Sequence, residues 1–264
     1  MPTTAAKSHP PMKRFLISCS LVLGPLASCE EKQKTAPAPP AVTDPTLPPG
    51  TSPARASAAA AHTRPALERD LAAVGLNFGD PIFIRVFKDE AVLEMFVRNR
   101  ATEKYDLFRT YPIAAASGTL GPKLAEGDGQ VPEGFYYVPP AAMNPTSQYH
   151  LSFNIGYPNA YDRAHQRTGS AIMVHGNRVS IGCLAMTDAK IEEIYTLAAA
   201  AHHGGQPFFR IHLFPFRLTP ERLAATTQSA NQEFWSNLKQ GYDLFEQTHI
   251  PPQVDLVGGR YLAR

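Results

Sequence analysis

The feature that most restricts the fold is a train of short runs, dense in β-branched and aromatic residues, that begins at Pro81. "PIFIRVF" and "AVLEMFV" are separated by Lys88-Asp89-Glu90 and read as a hairpin. "YDLFRTYPI" continues the series, and after the glycine-rich stretch from Gly118 to Gly134 comes "GFYYVPP", a strand ended by prolines. "YHLSFNI" alternates strictly, with Tyr149, Leu151, Phe153 and Ile155 on one side and His150, Ser152 and Asn154 on the other. "SAIMVHG" reads as a buried strand that delivers His175 at its end. A helix follows, with Thr187 as its expected N-cap and Ile191, Ile194, Leu197, Ala198 and Ala201 on one face. "PFFRIHLFPF" is a further strand. Thr219-Pro220-Glu221 then opens a helical region whose Phe234, Leu238, Tyr242 and Phe245 share a face, and Pro251-Pro252 is expected to end regular structure. The expected class is mainly β with flanking helices, α+β, carrying a C-terminal helical appendage.

With 264 residues and 44% hydrophobic content, the chain has material for one sizeable core. A formal charge of +2, with no basic run interleaved with aromatics, gives no reason to expect a nucleic-acid partner.

The beginning of the chain has a different composition. Lys13 and Arg14 precede an apolar run from Phe15 to Leu23, and Leu26-Ala27-Ser28-Cys29 resembles a lipoprotein cleavage box. Met12 offers a second start. The expectation is a lipoprotein signal over 1–28, removed so that Cys29 carries lipid and attaches the protein to a membrane. From Thr35 to Pro65 there are eight prolines, no aromatic residue and three charges (Asp44, Arg55, Arg64), so a Pro/Ala-rich disordered linker is expected over 29–66. The catalytic domain would then span 67–216 and the helical extension 217–264.

Three cysteines become one under this reading. Cys19 lies in the removed segment and Cys29 is lipidated, which leaves Cys183 without a disulfide partner in an exported protein. A lone thiol in an oxidising compartment is either a nucleophile or a small buried hydrophobe. Its neighbourhood supplies a base, since His175 stands eight positions upstream, a spacing suited to a strand end turning back through a tight loop. A neighbouring imidazole can take the thiol proton and stabilise the thiolate. Gly182 lets successive amides converge on one point, as an oxyanion hole requires. His150 and Asn154, on the polar side of their strand, and Gly176, beside His175, are candidate substrate-binding residues; His150 is equally consistent with a solvated position. His150, His165, His175, Cys183 and Asp188 show no metal-ligand spacing, so no metal and no cofactor is expected.

The window His175-Gly176 through Ser180-Ile181-Gly182-Cys183 resembles the signature of the YkuD-type L,D-transpeptidases, in which His-Gly is followed by Ser-x-Gly-Cys. Pro132-Glu133-Gly134-Phe135-Tyr136 is similar to that family's strand entry, and the short His-to-Cys interval, with "YHLSFNIGYPNAYD" upstream, resembles its YafK-like branch. The resemblance covers roughly Pro81 to Phe214. It implies a β-sandwich-type catalytic domain acting on peptidoglycan stem peptides that contain meso-diaminopimelate, in the periplasm of a Gram-negative-type envelope. It assigns Cys183 as nucleophile, His175 as general base and acid, the amides of Gly182 and Cys183 as oxyanion donors, and Ser180 a supporting role near a carbonyl that orients the imidazole. One position departs from the family: Ala185 stands where most members carry arginine. That departure keeps open a hydrolase or amidase that uses water to release a peptide or a cell-wall-attached lipoprotein from diaminopimelate. A third possibility is a lipoprotein that binds peptidoglycan without altering it.

Overall fold

The computed structural model describes residues 53–264, so the expected signal segment, Cys19 and Cys29 lie outside the described residues. The elements run α1 (Pro53–Ala73), β1 (Ile82–Phe87), β2 (Val92–Arg98), β3 (Tyr105–Pro112), β4 (Ala115–Ala116), β5 (Gly134–Val138), β6 (Met143–Asn144) and β7 (Ser152–Asn154). They continue with α2 (Ala160–Ala164), β8 (Met173–His175), β9 (Leu184–Ala185), α3 (Asp188–His203), β10 (Phe209–Phe214), α4 (Pro220–Ala224), α5 (Gln232–Thr248), β11 (Val254–Val257) and β12 (Arg260–Ala263). Two five-stranded mixed sheets, ordered β3-β2-β1-β10-β5 and β4-β9-β8-β7-β6, make the α+β body, and β11-β12 forms a separate hairpin.

Alternation along β1 shows how the layers are built. Ile82, Ile84 and Val86 enter the main core, together with Phe153, Val174 and Leu184 of the second sheet and Ile191, Ile194 and Leu197 of α3. Phe83 and Phe87 project to the opposite face, where α5 covers them with Tyr242 and Phe245. The first sheet is therefore buried on both faces, and each fully buried Leu, Ile or Phe contributes roughly 1.5–3 kcal/mol. The β1–β2 hairpin, the strands read at 105–113, 134–140 and 207–216, and the apolar face of α5 match the sequence reading.

Three expectations are corrected. Residues 53–66 are not a disordered linker but most of α1, because "ARASAAAAH" is rich in the strongest helix former and Ala59, Leu67 and Leu71 find a core to pack against. Regular structure does not end at Pro251-Pro252, since β11 and β12 pair around Gly258-Gly259, both at positive φ (57° and 76°), as a two-residue hairpin turn demands. Thr187 precedes α3 but does not cap it through its hydroxyl; it sits at φ 75°, and Asp188 Oδ1 instead accepts from the Asn177 amide at 2.7 Å.

Glu133, fully buried, ties three layers together. It accepts from Lys88 Nζ (3.0 Å), the Gly121 amide (2.7 Å) and the indole N–H of Trp235 on α5 (2.7 Å). Burial pushes the Lys88 pKa down, and the Glu133 carboxylate beside it opposes that shift. Removing one partner of such a pair leaves an uncompensated buried charge. Lys88→Met is expected to cost about 3–5 kcal/mol, read as a lower midpoint in chemical denaturation.

Candidate active site

The site grows from the pairing of β8 with β9. The two strands run parallel, with Val174 opposite Leu184 and His175 opposite Ala185. Val174 and Leu184 point into the main core. Period-two alternation therefore turns Met173, His175 and Cys183 to the other face. His175 and Cys183 thus share one side of adjacent strands, although eight residues separate them in the chain.

The His175 ring is almost wholly buried, and its Nδ1–H donates to the Gly176 carbonyl at 2.6 Å. A carbonyl can only accept, so the proton sits on Nδ1 and Nε2 keeps its lone pair. Tyr149 lies against the imidazole with ring centroids 4.8 Å apart. The loop carrying Tyr149 is fixed from two sides. Gly176 N–H donates to the carbonyls of Tyr149 and Leu151, while Arg55 on α1 donates to the carbonyls of Ser147 (2.8 Å) and His150 (2.6 Å).

On the cysteine side, Gly182 adopts φ 94°, a region costly for any residue with a Cβ. Ser180 Oγ donates to the Cys183 carbonyl at 2.6 Å and accepts the Cys183 amide at 3.1 Å. The Gly182 amide donates to Ser117 Oγ at 2.5 Å, and that hydroxyl donates onward to the Gly129 carbonyl at 2.7 Å. Cys183 is half-buried; Sγ accepts from the Met173 amide at 3.4 Å and donates to the Ala171 carbonyl at 3.7 Å.

The YkuD family, described as the L,D-transpeptidase catalytic domain, matches residues 81–204. YafK of Escherichia coli (strain K12), provisionally named an L,D-transpeptidase, is 45% identical over 184 residues, covering 70% of this chain and 74% of that protein, and the counterpart in strain O157:H7 matches equally. The chain belongs to the YkuD family of L,D-transpeptidase catalytic domains. Among solved structures, the helical cell shape determining protein Pgp2 of Campylobacter jejuni aligns over 72% of this chain and 80% of its own, at 17% identity and TM-score 0.41. Bd1075 of Bdellovibrio bacteriovorus aligns over 63% and 58%, at 20% identity and TM-score 0.35.

The candidate site positions fall into two groups. His175, Ser180, Gly182 and Cys183 come together at the β8–β9 end, and Asn154 lines the cleft beyond Met173. His150 and Gly176 are engaged elsewhere. His150 Nε2 pairs with Glu192 Oε1 at 2.8 Å, and a Cβ on buried Gly176 would lie 2.6 Å from Asp188 Oδ1 and 2.8 Å from the Tyr149 carbonyl. Both therefore serve packing of the 147–151 loop rather than an open binding surface. The carbonyl that orients the imidazole belongs to Gly176, and Ser180 acts instead as a clasp on the cysteine turn. The two amides expected to hold an oxyanion already donate to Ser117 and Ser180. Three contributors escaped the sequence reading: Ser117, Tyr149 and the buried Lys123, whose ammonium donates to Ala125 O (2.8 Å) and Asp128 (2.6 Å).

The electrostatics also differ from the expected thiolate. Burial raises the Cys183 pKa, with the Met173 amide and the Lys123 charge pulling it down only in part. Burial lowers that of His175 below 6.5, opposed by the Gly176 hydrogen bond. The resting pair is thus a neutral thiol beside a neutral imidazole. Alkylation of Cys183 by iodoacetamide should therefore be slow at neutral pH and accelerate with a midpoint above the ordinary thiol value of 9.0, measured as a rate–pH profile on the free protein. Because the Tyr149 ring shields one face of His175, Tyr149→Ala should raise the imidazole titration toward 6.5, followed by NMR of its ring protons.

Proposed function

We propose that the chain is a peptidoglycan L,D-transpeptidase that acylates Cys183 at the carbonyl following the L-centre of meso-diaminopimelate in a stem peptide. The observation that supports this most directly is the shared face of His175 and Cys183 across the parallel β8–β9 pair, with Nε2 left as the free lone pair. His175 Nε2 takes the thiol proton as Sγ forms its bond to the carbonyl carbon, so ion-pair formation coincides with attack. This order suits a pair that is neutral at rest.

Charge then develops on the carbonyl oxygen. Two donors on the cysteine turn are the amides of Gly182 and Cys183, whose resting acceptors are neutral serine hydroxyls. An oxyanion makes the stronger, charge-assisted hydrogen bond and displaces them. The C–N bond breaks, the imidazolium returns its proton to the departing amine, and a thioester remains on Cys183. An incoming amine gives transpeptidation and regenerates the thiol.

A second reading has a specific observation in its favour. Ala185 lies directly opposite His175 and is completely buried, so no cation stands where most of the family has arginine. With that contact missing, water can serve as the acceptor, which would make the protein a hydrolase or an amidase that releases a peptide or protein from diaminopimelate. The third reading is a lipoprotein that binds peptidoglycan without turnover. We place the protein, from its first 29 residues, in the periplasm on a lipid anchor at Cys29.

Incubation with muropeptides, with and without an added D-amino acid, separates these readings by mass. Exchange or dimers indicate transfer; a shortened stem alone indicates hydrolysis; unchanged muropeptides indicate the binding role. Cys183→Ala should reduce either activity on the order of 10³-fold or more while leaving the denaturation midpoint in place, and a fully active variant would refute the mechanism.

A further inference from the structure

Beyond Met173 a cavity of about 1030 Å³ opens between β5, the 139–146 segment, α2 and the C-terminal hairpin. Met173, whose amide donates to Cys183 Sγ, lines its near end. Its far wall is Val254–Leu256 of β11, outside the 81–204 region shared with the family. The hairpin is held in that position by Tyr261, whose hydroxyl accepts from Asn159 and whose backbone exchanges two 2.9 Å bonds with Asn237.

The cations of this lining differ from the buried Arg85 and Arg167. Buried Arg85 and Arg167 each have a carboxylate at 2.9 Å. Arg210, half-buried on β10, has no ion pair with a carboxylate among the described residues; its guanidinium lies 5.3 Å from the Phe208 ring, and burial lowers its pKa. The Arg163 guanidinium donates to the Pro158 carbonyl and has no ion pair with a carboxylate among the described residues. The one acid on the lining, Asp255, is already matched by Arg264 at 2.5 Å. The cavity therefore carries uncompensated positive charge beside an exposed aromatic pair, Tyr137 and Phe208, with centroids 5.5 Å apart. A half-buried guanidinium without a counterion bears a desolvation cost that an anionic ligand would relieve.

We propose that this cavity receives the carboxylate-bearing peptide portion of the substrate, with Arg210 binding a carboxylate and Tyr137, backed by Phe208, offering an apolar surface. The proposal rests on the peptidoglycan reading above. It also gives the chain a substrate-contacting cation from β10 in place of the one that Ala185 lacks.

The test compares a stem tetrapeptide carrying free carboxylates with the same peptide amidated, using the full chain. Arg210→Gln should raise KM for the free-carboxylate peptide roughly 10- to 100-fold, with kcat nearly unchanged and the amidated peptide unaffected. Arg210→Lys should recover part of the loss. Equal losses on both peptides, or none, would overturn the assignment. Calorimetry on Cys183→Ala, with and without Arg210→Gln, reads the same preference without turnover. If Cys183→Ala shows no preference for the free carboxylates, the cavity proposal fails. Preference lost with Arg210→Gln supports it, even if the wild-type chain turns over neither peptide, a result that would count against the proposed activity alone.

Discussion

The parallel pairing of β8 with β9 is the constraint on which the candidate site depends. A slip of one residue would exchange the faces of every side chain on β9, placing Cys183 in the core and Leu184 in the cleft. The register is held by apolar burial, since Val174, Leu184 and Met186 lie in one core with α3. It is held also by the turn between the strands, where Gly182 at φ 94° and the Ser180 clasp fix the angle at which the chain re-enters the sheet. The geometry of the Cys183 thiol is thus maintained chiefly by hydrophobic packing on the opposite side of the same two strands.

Burial has a second consequence. The packing that fixes the pair also desolvates both members, which penalises the thiolate and the imidazolium alike and pushes the two pKa values apart in the direction of neutrality. Lys123 opposes this at the cysteine, but its own charge is matched by Asp128. Under the proposed mechanism such a site would hold Cys183 protonated until an electrophilic carbonyl arrives, a useful property for a cysteine in the oxidising compartment proposed for it.

Much of this was legible in the sequence, for identifiable reasons. The strand runs, the α3 face and the His175–Cys183 window are local patterns, and local patterns are what periodicity and spacing record. The family resemblance was legible for the same cause. The helix over the alanine-rich 53–66 is obscured in the sequence by its prolines and low apolar content, and the packing partners of Leu67 and Leu71 lie far along the chain. The final hairpin did leave a signal: Gly258-Gly259 between "VDLV" and "RYLA" is a two-residue turn. Tyr149 over His175, Ser117 beneath the Gly182 amide and Lys123 near the thiol left none, being contacts across 26 or more residues whose types are unremarkable in sequence. The direction of the thiol shift leaves no local signal, because the burial that causes it is set by residues far from that window.

The parts of the chain outside the shared 81–204 region sit on two sides of that window. From one side, α1 reaches it through Arg55, which grips the loop that lays Tyr149 on His175. From the other, β10 and the β11–β12 hairpin contribute Arg210 and a cavity wall. Ala185 removes a cation from the centre, and an arginine cannot be restored there without displacing packed neighbours, because the position is wholly buried between Ala115 and His175. Under the proposed function, selection among substrates would come from the periphery, where charge and apolar surface remain unmatched among the described residues. In that reading the central pair would carry out the attack, while the cavity wall formed by β10 and the C-terminal hairpin would contact the chain presented to it.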